Sequence, residues 1–167
     1  IAMDNLTEDD PLWFSWVWYS KAMAEMVWEN FEEVIEALNI ALEYGKTSHN
    51  LYLISMIAIR IAYINQRMGF FKSAYKTCSD LLNYMKENGY SQIAKAEWTF
   101  AGVFSMMAMI QYIWADLEGA AKSAKIAYDL CKKEANLSHK ILALLVKASV
   151  LHGYGDSGKA LEVSNEL

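Results

Sequence analysis

The sequence has few of the residues that break helices. Its 167 residues include one proline and eight glycines, which favours long helices over strands and turns. Basic residues are also few, because 15 Lys and Arg stand against 20 Asp and Glu, for a formal net charge of −5. Affinity for nucleic acid is carried mainly by clustered cations. We therefore expect no direct nucleic-acid contact by this chain.

Cysteine is scarce as well. Cys78 and Cys131 have no CxxC spacing and no histidine pair nearby, so neither a disulfide framework nor a zinc site is indicated. We expect two reduced core thiols in a cytoplasmic protein. The start, residues 1–4, lacks the basic and apolar segments of a signal peptide. The chain ends inside a predicted helix, so we expect a fragment of a longer protein.

Motifs for catalysis are missing. The histidines His49, His139 and His152 are far apart, and no HExxH, GxSxG or Cys/His arrangement is present. The glutamates of residues 32–36 gather at a predicted helix start, where the helix dipole favours negative charge. We interpret them as a solvated face rather than a general-acid pair. The sequence predicts a protein that is not an enzyme and that needs no cofactor or metal.

The sequence does contain a repeat with a period of forty-odd residues. Four segments between apolar-periodic stretches align, and they begin 40, 46 and 40 residues apart, at Glu29, Gly69, Ala115 and Gly155. Alanine stands seven residues before each of these starts, at Ala22, Ala62, Ala108 and Ala148. A small side chain at a fixed position lets two antiparallel helices approach to about 8–10 Å.

This pattern resembles the tetratricopeptide repeat, with a small residue in the first helix, a turn, and alanines in the second helix. The resemblance implies an all-α fold, a right-handed α-α superhelix of about four helix pairs. It also implies a single domain over 1–167, with repeats near 11–49, 50–90, 91–137 and 138–167. The long repeats are similar to those in the sensor domain of the MalT-like, LuxR-type ATP-dependent transcription regulators.

The periodicity also predicts where the helices begin and end. First helices are expected near 11–28, 50–68, 91–114 and 138–153, and second helices near 31–45, 71–88, 117–134 and from 157 onward. Asn30 and Asp116 are predicted N-caps, because a short oxygen-bearing side chain accepts hydrogen bonds from free amides of the first turn. Gly45, Gly89 and residues 136–138 are expected to end second helices.

Two stretches allow other interpretations. Residues 153–158 spell GxGxxG, but the preceding segment 141–148 fits a helix, whereas a dinucleotide site needs a strand there. We interpret the motif as a turn between paired helices. Residues 98–115 carry no charge and approach the length of a transmembrane helix. Polar residues interrupt this stretch, so we expect a central solenoid helix and no membrane span.

In tetratricopeptide arrays the first helices line the concave surface, where peptides or small ligands dock. The resemblance places in this predicted groove Tyr63, Gln66, Arg67, Met109, Tyr112 and His152, joined by Tyr19, Met23, Met56 and Ser149. Arg67 with Gln66 can hold a carboxylate or a sugar hydroxyl, and the tyrosines can stack on an apolar or sugar face. The alternative is that each residue is merely exposed.

Aromatic residues crowd the first helix, which contains Trp13, Phe14, Trp16, Trp18 and Tyr19. They are too many to face one neighbour. We expect this helix to pack against a preceding repeat or against another copy of the chain, as a homodimer. The alternative is an aromatic binding face, since exposed apolar patches mark partner sites.

Two functions fit these observations. The first is a non-catalytic binding module, the ligand- or partner-sensing segment of a signal-responsive transcription regulator, whose groove takes a protein, peptide or small-molecule effector. The second is a stand-alone tetratricopeptide scaffold for protein–protein interaction. They differ in context, because a P-loop upstream and a helix-turn-helix downstream would favour the regulator.

Overall fold

The computed structural model describes residues 10–90, 97–131 and 137–166, and the side chains of all of these except 97–99 and 137–139. The predicted all-α fold of about four helix pairs is confirmed over these ranges. Their eight helices are α1 (Pro11–Met26), α2 (Phe31–Thr47), α3 (Leu51–Arg67), α4 (Phe71–Glu87), α5 (Glu97–Ile113), α6 (Leu117–Cys131), α7 (Leu137–Gly153) and α8 (Ser157–Ser164). The predicted start of a helix at 91, its predicted end at 134 and the breaker at 136 lie outside the described residues.

The chain divides into two compact units, Ile1–Thr77 and Cys78–Leu167, with the boundary inside α4. In the first unit, α2 packs against both α1 and α3. In the second unit, α6 packs against α5 and α7, while α7 also contacts α5 and α8. Such sequential contacts are those of stacked hairpins, in which each pair buries its apolar seam on the next. The single domain over 1–167 stays a prediction.

The repeat register is visible in the burial of small side chains. The alanines of the first helices are all buried, at 0% exposed for Ala22, Ala62 and Ala108 and 9% for Ala148. The fourth residue of each second helix is buried as well: Val34, Ala74, Ala120 and Ala160. Small residues recurring at these positions permit close helix packing, as the sequence pattern predicted.

The aromatic residues of α1 are used largely within the first unit. Trp16, Trp18 and Tyr19 are half-buried and pack on a core that includes Leu38 and Ile57. The ring of Phe14 lies 5.1 Å from that of Tyr44 on α2. Trp13 stays 57% exposed. Most of these rings contact their own unit, so few of them remain exposed for a second copy of the chain. The homodimer through α1 stays a prediction.

The turn inside every helix pair contains one residue in the left-handed region, at the same register position. These residues are Glu29 (φ 59°), Gly69 (φ 82°), Ala115 (φ 60°) and Gly155 (φ 81°). The N–H of each donates to the carbonyl oxygen three residues earlier, at 2.8 to 3.3 Å. A residue with a side chain pays about 1–2 kcal/mol for this conformation, whereas glycine does not.

We expect Ala115→Gly to raise the free energy of unfolding by about 0.5–1 kcal/mol, because relief at φ 60° exceeds the added entropy of the unfolded chain. Gly155→Ala should lower it by a similar amount. A Cβ at Gly155 would meet no atom within 4 Å, so backbone conformation alone sets that cost. Urea denaturation measures both, and changes of the same sign would contradict this reasoning.

The predicted N-caps have different outcomes. Asp116 is confirmed, because its Oδ1 accepts a hydrogen bond from the Gly119 N–H at 2.9 Å. Asn30 stands at the N-cap of α2, but its side chain makes no capping hydrogen bond. Its Nδ2 instead donates to Glu33 Oε2 at 3.1 Å. The predicted N-cap position of Asn30 is thus confirmed, whereas its side chain bonds the neighbouring carboxylate and not the amides of the first turn.

The predicted helix ends also differ. Gly89 (φ 73°) follows the end of α4 and confirms a glycine terminator. Gly45 was wrongly predicted to end α2, which continues to Thr47. Gly45 is buried inside the helix, where an added Cβ would lie 3.3 Å from Ser15 Oγ. Its small size serves the packing of α1 on α2, and His49 (φ 52°) adopts the left-handed conformation instead.

Two apolar or glycine-rich stretches take the structures that the sequence predicted. Residues 153–158 span the turn 154–156 between α7, which ends at Gly153, and α8, which begins at Ser157, and a helix precedes the motif. The uncharged stretch from Trp98 lies mainly in α5. Across the described ranges, every helix falls short of the length and apolarity that a bilayer crossing requires.

Ser105 on α5 is fully buried, and its Oγ has no hydrogen-bond partner among the described residues. A buried hydroxyl without a hydrogen-bond partner lowers the free energy of unfolding by about 1–3 kcal/mol. We expect Ser105→Ala to raise the free energy of unfolding by about 1 kcal/mol. The matched control is Ser55, which is equally buried but donates to the Leu51 carbonyl at 2.7 Å. Thermal denaturation should show stabilisation for Ser105→Ala and none for Ser55→Ala.

Candidate functional site

An apolar pocket opens in the second unit among the C-terminal part of α4, the residue Tyr90, and the helices α5 and α6. Its volume is about 260 Å³. Apart from one lysine and one tyrosine, its walls are aliphatic, aromatic or thioether side chains. The lining residues are Leu82, Met85, Lys86, Tyr90, Phe100, Phe104, Ile126 and Leu130.

Helical spacing brings these side chains to one place. Phe100 and Phe104 are four residues apart on α5, Ile126 and Leu130 are four apart on α6, and 82, 85 and 86 share a face of α4. Phe100 is 8% exposed and Met85 3%, so they form the floor. Ile126 is 42% exposed and lies at the opening.

Tyr90 reaches the pocket through the turn that ends α4. Gly89 reverses the chain at φ 73°, and its N–H donates to the Lys86 carbonyl at 3.3 Å. The side chain of Asn88 donates to the Tyr84 carbonyl at 2.8 Å. The rings of Tyr84 and Tyr90 lie 6.5 Å apart and are tilted by 40°. Burial, and then the proximity of Tyr90, raises the pKa of Tyr84 above its ordinary value.

Among the lining residues that the structure describes, Lys86 is the one whose side chain carries a formal charge at neutral pH. The residue is exposed. Other lysines of the described residues do form ion pairs, among them those at positions 46, 122, 125 and 159. The pocket thus combines carbon walls with a cation whose charge is not neutralised by a described carboxylate.

The predicted groove residues fall into two sets, one in each unit. Tyr63, Gln66 and Arg67 lie together on the last turns of α3. Tyr63 is 39% exposed, Arg67 is exposed and Gln66 is half-buried. Tyr63 and Arg67 are four residues apart and share a helix face. This set therefore offers a ring and a guanidinium on one helix face, and their role in a groove stays a prediction.

In the second unit, two of the predicted groove residues pack against the core. Met109 and Tyr112 are half-buried against a core cluster that includes Ala108 and Val150. A Cβ added at Gly153 would lie 2.9 Å from Tyr112 Cε2, so the ring covers the end of α7. The exposed His152 has its Nδ1 3.3 Å from Ser157 Oγ. The structure brings Tyr112 close to the end of α7, and it commits Met109 and Tyr112 partly to the core.

Sequence reasoning missed the apolar pocket. Its residues stand at ordinary core spacing, and nothing local separates a lining side chain from one that is fully packed. One signal was present: the anchors of the second and third repeats are 46 residues apart, whereas the other two spacings are 40. The extra residues fall between Phe71 and Leu117, the span that contains α4, Tyr90 and α5.

Within the described ranges, no group of three or more His, Cys, Asp or Glu side chains is arranged to hold a metal ion. Cys78 and Cys131 are buried and form no disulfide with each other, which agrees with their prediction as core thiols. Burial raises the pKa of the Cys78 thiol to about 12. A thiol with this pKa is a poor nucleophile and serves as a small apolar core group.

Comparison with known proteins bears on the fold. No family model and no curated protein matches the sequence. Among solved structures, the chain is similar to BtubC (BKLC) from P. vanneervenii, with a TM-score of 0.75 and 15% identity over 98% of this chain. The match covers 65% of that chain, so the present chain spans less than two thirds of its length. At this identity, the likeness shows the helical-repeat fold alone.

Proposed function

We propose that this chain is a non-catalytic binding module whose second unit accommodates an apolar group of a ligand or partner. The observation that carries the proposal is the pocket lined by α4, α5 and α6. Protein interiors are densely packed and leave few voids larger than a water molecule. An open apolar concavity of about 260 Å³ with a charged group among its lining residues is typical of a binding site.

We propose the finer role from the resemblance of the repeats: the effector- or partner-sensing segment of a signal-responsive transcription regulator. The two buried cysteines, which form no disulfide, support a cytoplasmic location. A protein-interaction scaffold is the second candidate, favoured by the exposed apolar turn after α1, where Val27 is 75% and Trp28 77% exposed. Sequence flanking this chain separates them, since a P-loop upstream and a helix-turn-helix downstream belong to the regulator alone.

A thermal-shift screen against sugars, nucleotides, peptides and small amphipathic acids tests the binding function. A ligand that binds only the folded chain stabilises it by about 2.7 kcal/mol at a hundred times its Kd. Ile126→Trp fills the mouth of the pocket, and Leu161→Trp is the matched control at an exposed position of α8 (64% exposed). A shift lost only in Ile126→Trp supports the proposal, whereas a shift unaffected by both variants contradicts use of the pocket.

Arg67→Ala tests the predicted groove on α3 separately. A ligand whose carboxylate pairs with this exposed guanidinium should bind about tenfold more weakly to the variant, because a charge-assisted hydrogen bond is lost. Lys72→Ala, at an exposed position of α4, controls for the loss of one positive charge. Isothermal titration calorimetry gives the affinities, and equal weakening by both variants would count against a specific role for Arg67.

A further inference from the structure

The size of the apolar pocket sets the size of its ligand. Its volume of about 260 Å³ exceeds the roughly 150 Å³ of an engineered cavity that binds benzene. It lies just below the roughly 300 Å³ at which drug-sized ligand sites begin. An entire helix face of a partner is too large for such a space. The pocket fits one short hydrocarbon chain or one ring system.

The walls decide which part of a ligand is buried. Leu82, Phe100, Phe104 and Leu130 offer neither hydrogen-bond donors nor strong acceptors. A polar group placed among them would lose its hydrogen bonds to water without replacement. The thioether of Met85 on the floor is flexible and adapts to irregular apolar shapes. The buried part of the ligand is therefore hydrocarbon.

Lys86 decides the charge of the other part. Its alkyl stem lines the pocket, and the residue is exposed, so the ammonium group extends toward water at the open side. Within the described residues, no carboxylate forms an ion pair with this ammonium, unlike those of Lys46 and Lys122. An anionic head group at the mouth would supply one, while a cationic head group would be repelled.

We infer that this pocket binds a small amphipathic carboxylate, a medium-chain fatty acid, with its tail between α4, α5 and α6 and its carboxylate paired with Lys86. The inference rests on the proposed binding function and names the ligand class for the same pocket. It concerns the free acid, because the carbon walls continue to the floor and contain no groups that would satisfy a peptide backbone.

Titration calorimetry with four probes tests the charge and the tail separately. Octanoate carries both features, octanol has the tail alone, octylamine has the opposite charge, and acetate lacks the tail. We expect octanoate to bind at least tenfold more tightly than octylamine, with octanol between them and acetate without measurable binding. Equal affinities for octanoate and octylamine would overturn the role of Lys86.

Two variants locate the site. Lys86→Met, which keeps the apolar stem, should weaken octanoate at least fivefold and leave octanol unchanged. Lys72→Met, at an exposed position on the first turn of the same helix, should change neither. Ile126→Trp should weaken both probes at least tenfold by filling the mouth. Octanoate binding that survives Ile126→Trp in a variant with native circular dichroism would overturn the location.

Other occupants give different results. A dimer in analytical ultracentrifugation that dissociates in Ile126→Trp would assign the pocket to a second copy of the chain. Tighter binding of hydrophobic peptides than of octanoate, sensitive to the same variant, would assign it to a protein partner. Either result overturns the fatty-acid inference and leaves the binding function standing. If no probe and no partner binds in a manner that is sensitive to Ile126→Trp, both the fatty-acid inference and the binding function are contradicted.

Discussion

Gly119→Ala is expected to lower the free energy of unfolding by about 2–4 kcal/mol, because it would disrupt buried hydrogen bonds and a helix cap. Gly119 lies in the first turn of α6, and its N–H donates to the capping carboxylate of Asp116 at 2.9 Å. A Cβ built on Gly119 would clash with the Asp116 carboxylate and with the side-chain amide of Gln111. Both groups would have to move, and the Asp116 carboxylate is the group that caps α6.

Gln111 makes this clash costly. It is 9% exposed on α5, and its amide lies 2.7 Å from Ser123 Oγ on α6. With its nitrogen turned toward Ser123, the Gln111 amide donates to Ser123 Oγ and to two carbonyl oxygens, those of Met107 at 3.3 Å and Gly119 at 3.2 Å. Displacing the amide leaves buried polar atoms without partners, which costs about 1–3 kcal/mol for each group.

Gly158→Ala is the matched control, with the opposite sign. Gly158 is the second residue of α8, and a Cβ there would approach only Asp156 Oδ1, at 4.0 Å. Alanine is favoured over glycine in helices by up to about 1 kcal/mol, so this variant should be slightly more stable than the parent chain. Urea denaturation followed by circular dichroism measures both, and destabilisation by both substitutions to the same extent would refute the clash at Gly119.

Cys78 is expected to react with iodoacetamide about a thousandfold more slowly in the folded chain than in the unfolded chain. Burial raises the pKa of its thiol from 9.0 to about 12, and the reactive thiolate is correspondingly rarer near neutral pH. Intact-mass spectrometry of the Cys131→Ala variant follows this thiol by itself, with and without urea. Labelling in native buffer at the rate seen in urea would show that Cys78 is accessible.

The same pKa makes the fold sensitive to alkali. Between pH 9 and 12 the unfolded chain has lost the Cys78 proton that the folded chain retains, so stability falls by about 1.4 kcal/mol for each pH unit. The total loss from this thiol approaches about 4 kcal/mol at pH 12, and below pH 9 the thiol contributes none. Cys78→Ala should flatten this part of the stability profile, because tyrosines and lysines titrate alike in both proteins.

Much of the fold could be predicted because the repeat is a local pattern. The alanines Ala22, Ala62, Ala108 and Ala148 are all buried where the register places them. The observed start of each second helix, at 31, 71, 117 and 157, agrees with the predicted start. Helical periodicity and turn residues are legible over short windows, since each helix needs only its own apolar seam to reveal which face it buries.

The departures from prediction concern residues to which the surrounding structure gives another contact. Gly45 was expected to end a helix, but the nearest atom to its added Cβ belongs to Ser15, thirty positions earlier in the chain. Asn30 has the chemistry of an N-cap, and its amide turns to Glu33 instead. Local propensity allows a residue several conformations and hydrogen bonds, and the contacts around it determine which of them forms.

The sequence by itself determined the helix pairs, their register and the place of the turn in each pair, because these follow from local spacing and backbone chemistry. Only the tertiary structure decided which apolar side chains close into a core and which stay open around a pocket. Phe104 and Ile126 have the same periodic signature as fully buried neighbours, and their place at the pocket depends on how three helices fill the space between them. Packing is a property of many chain segments at once, and no single stretch of sequence contains it.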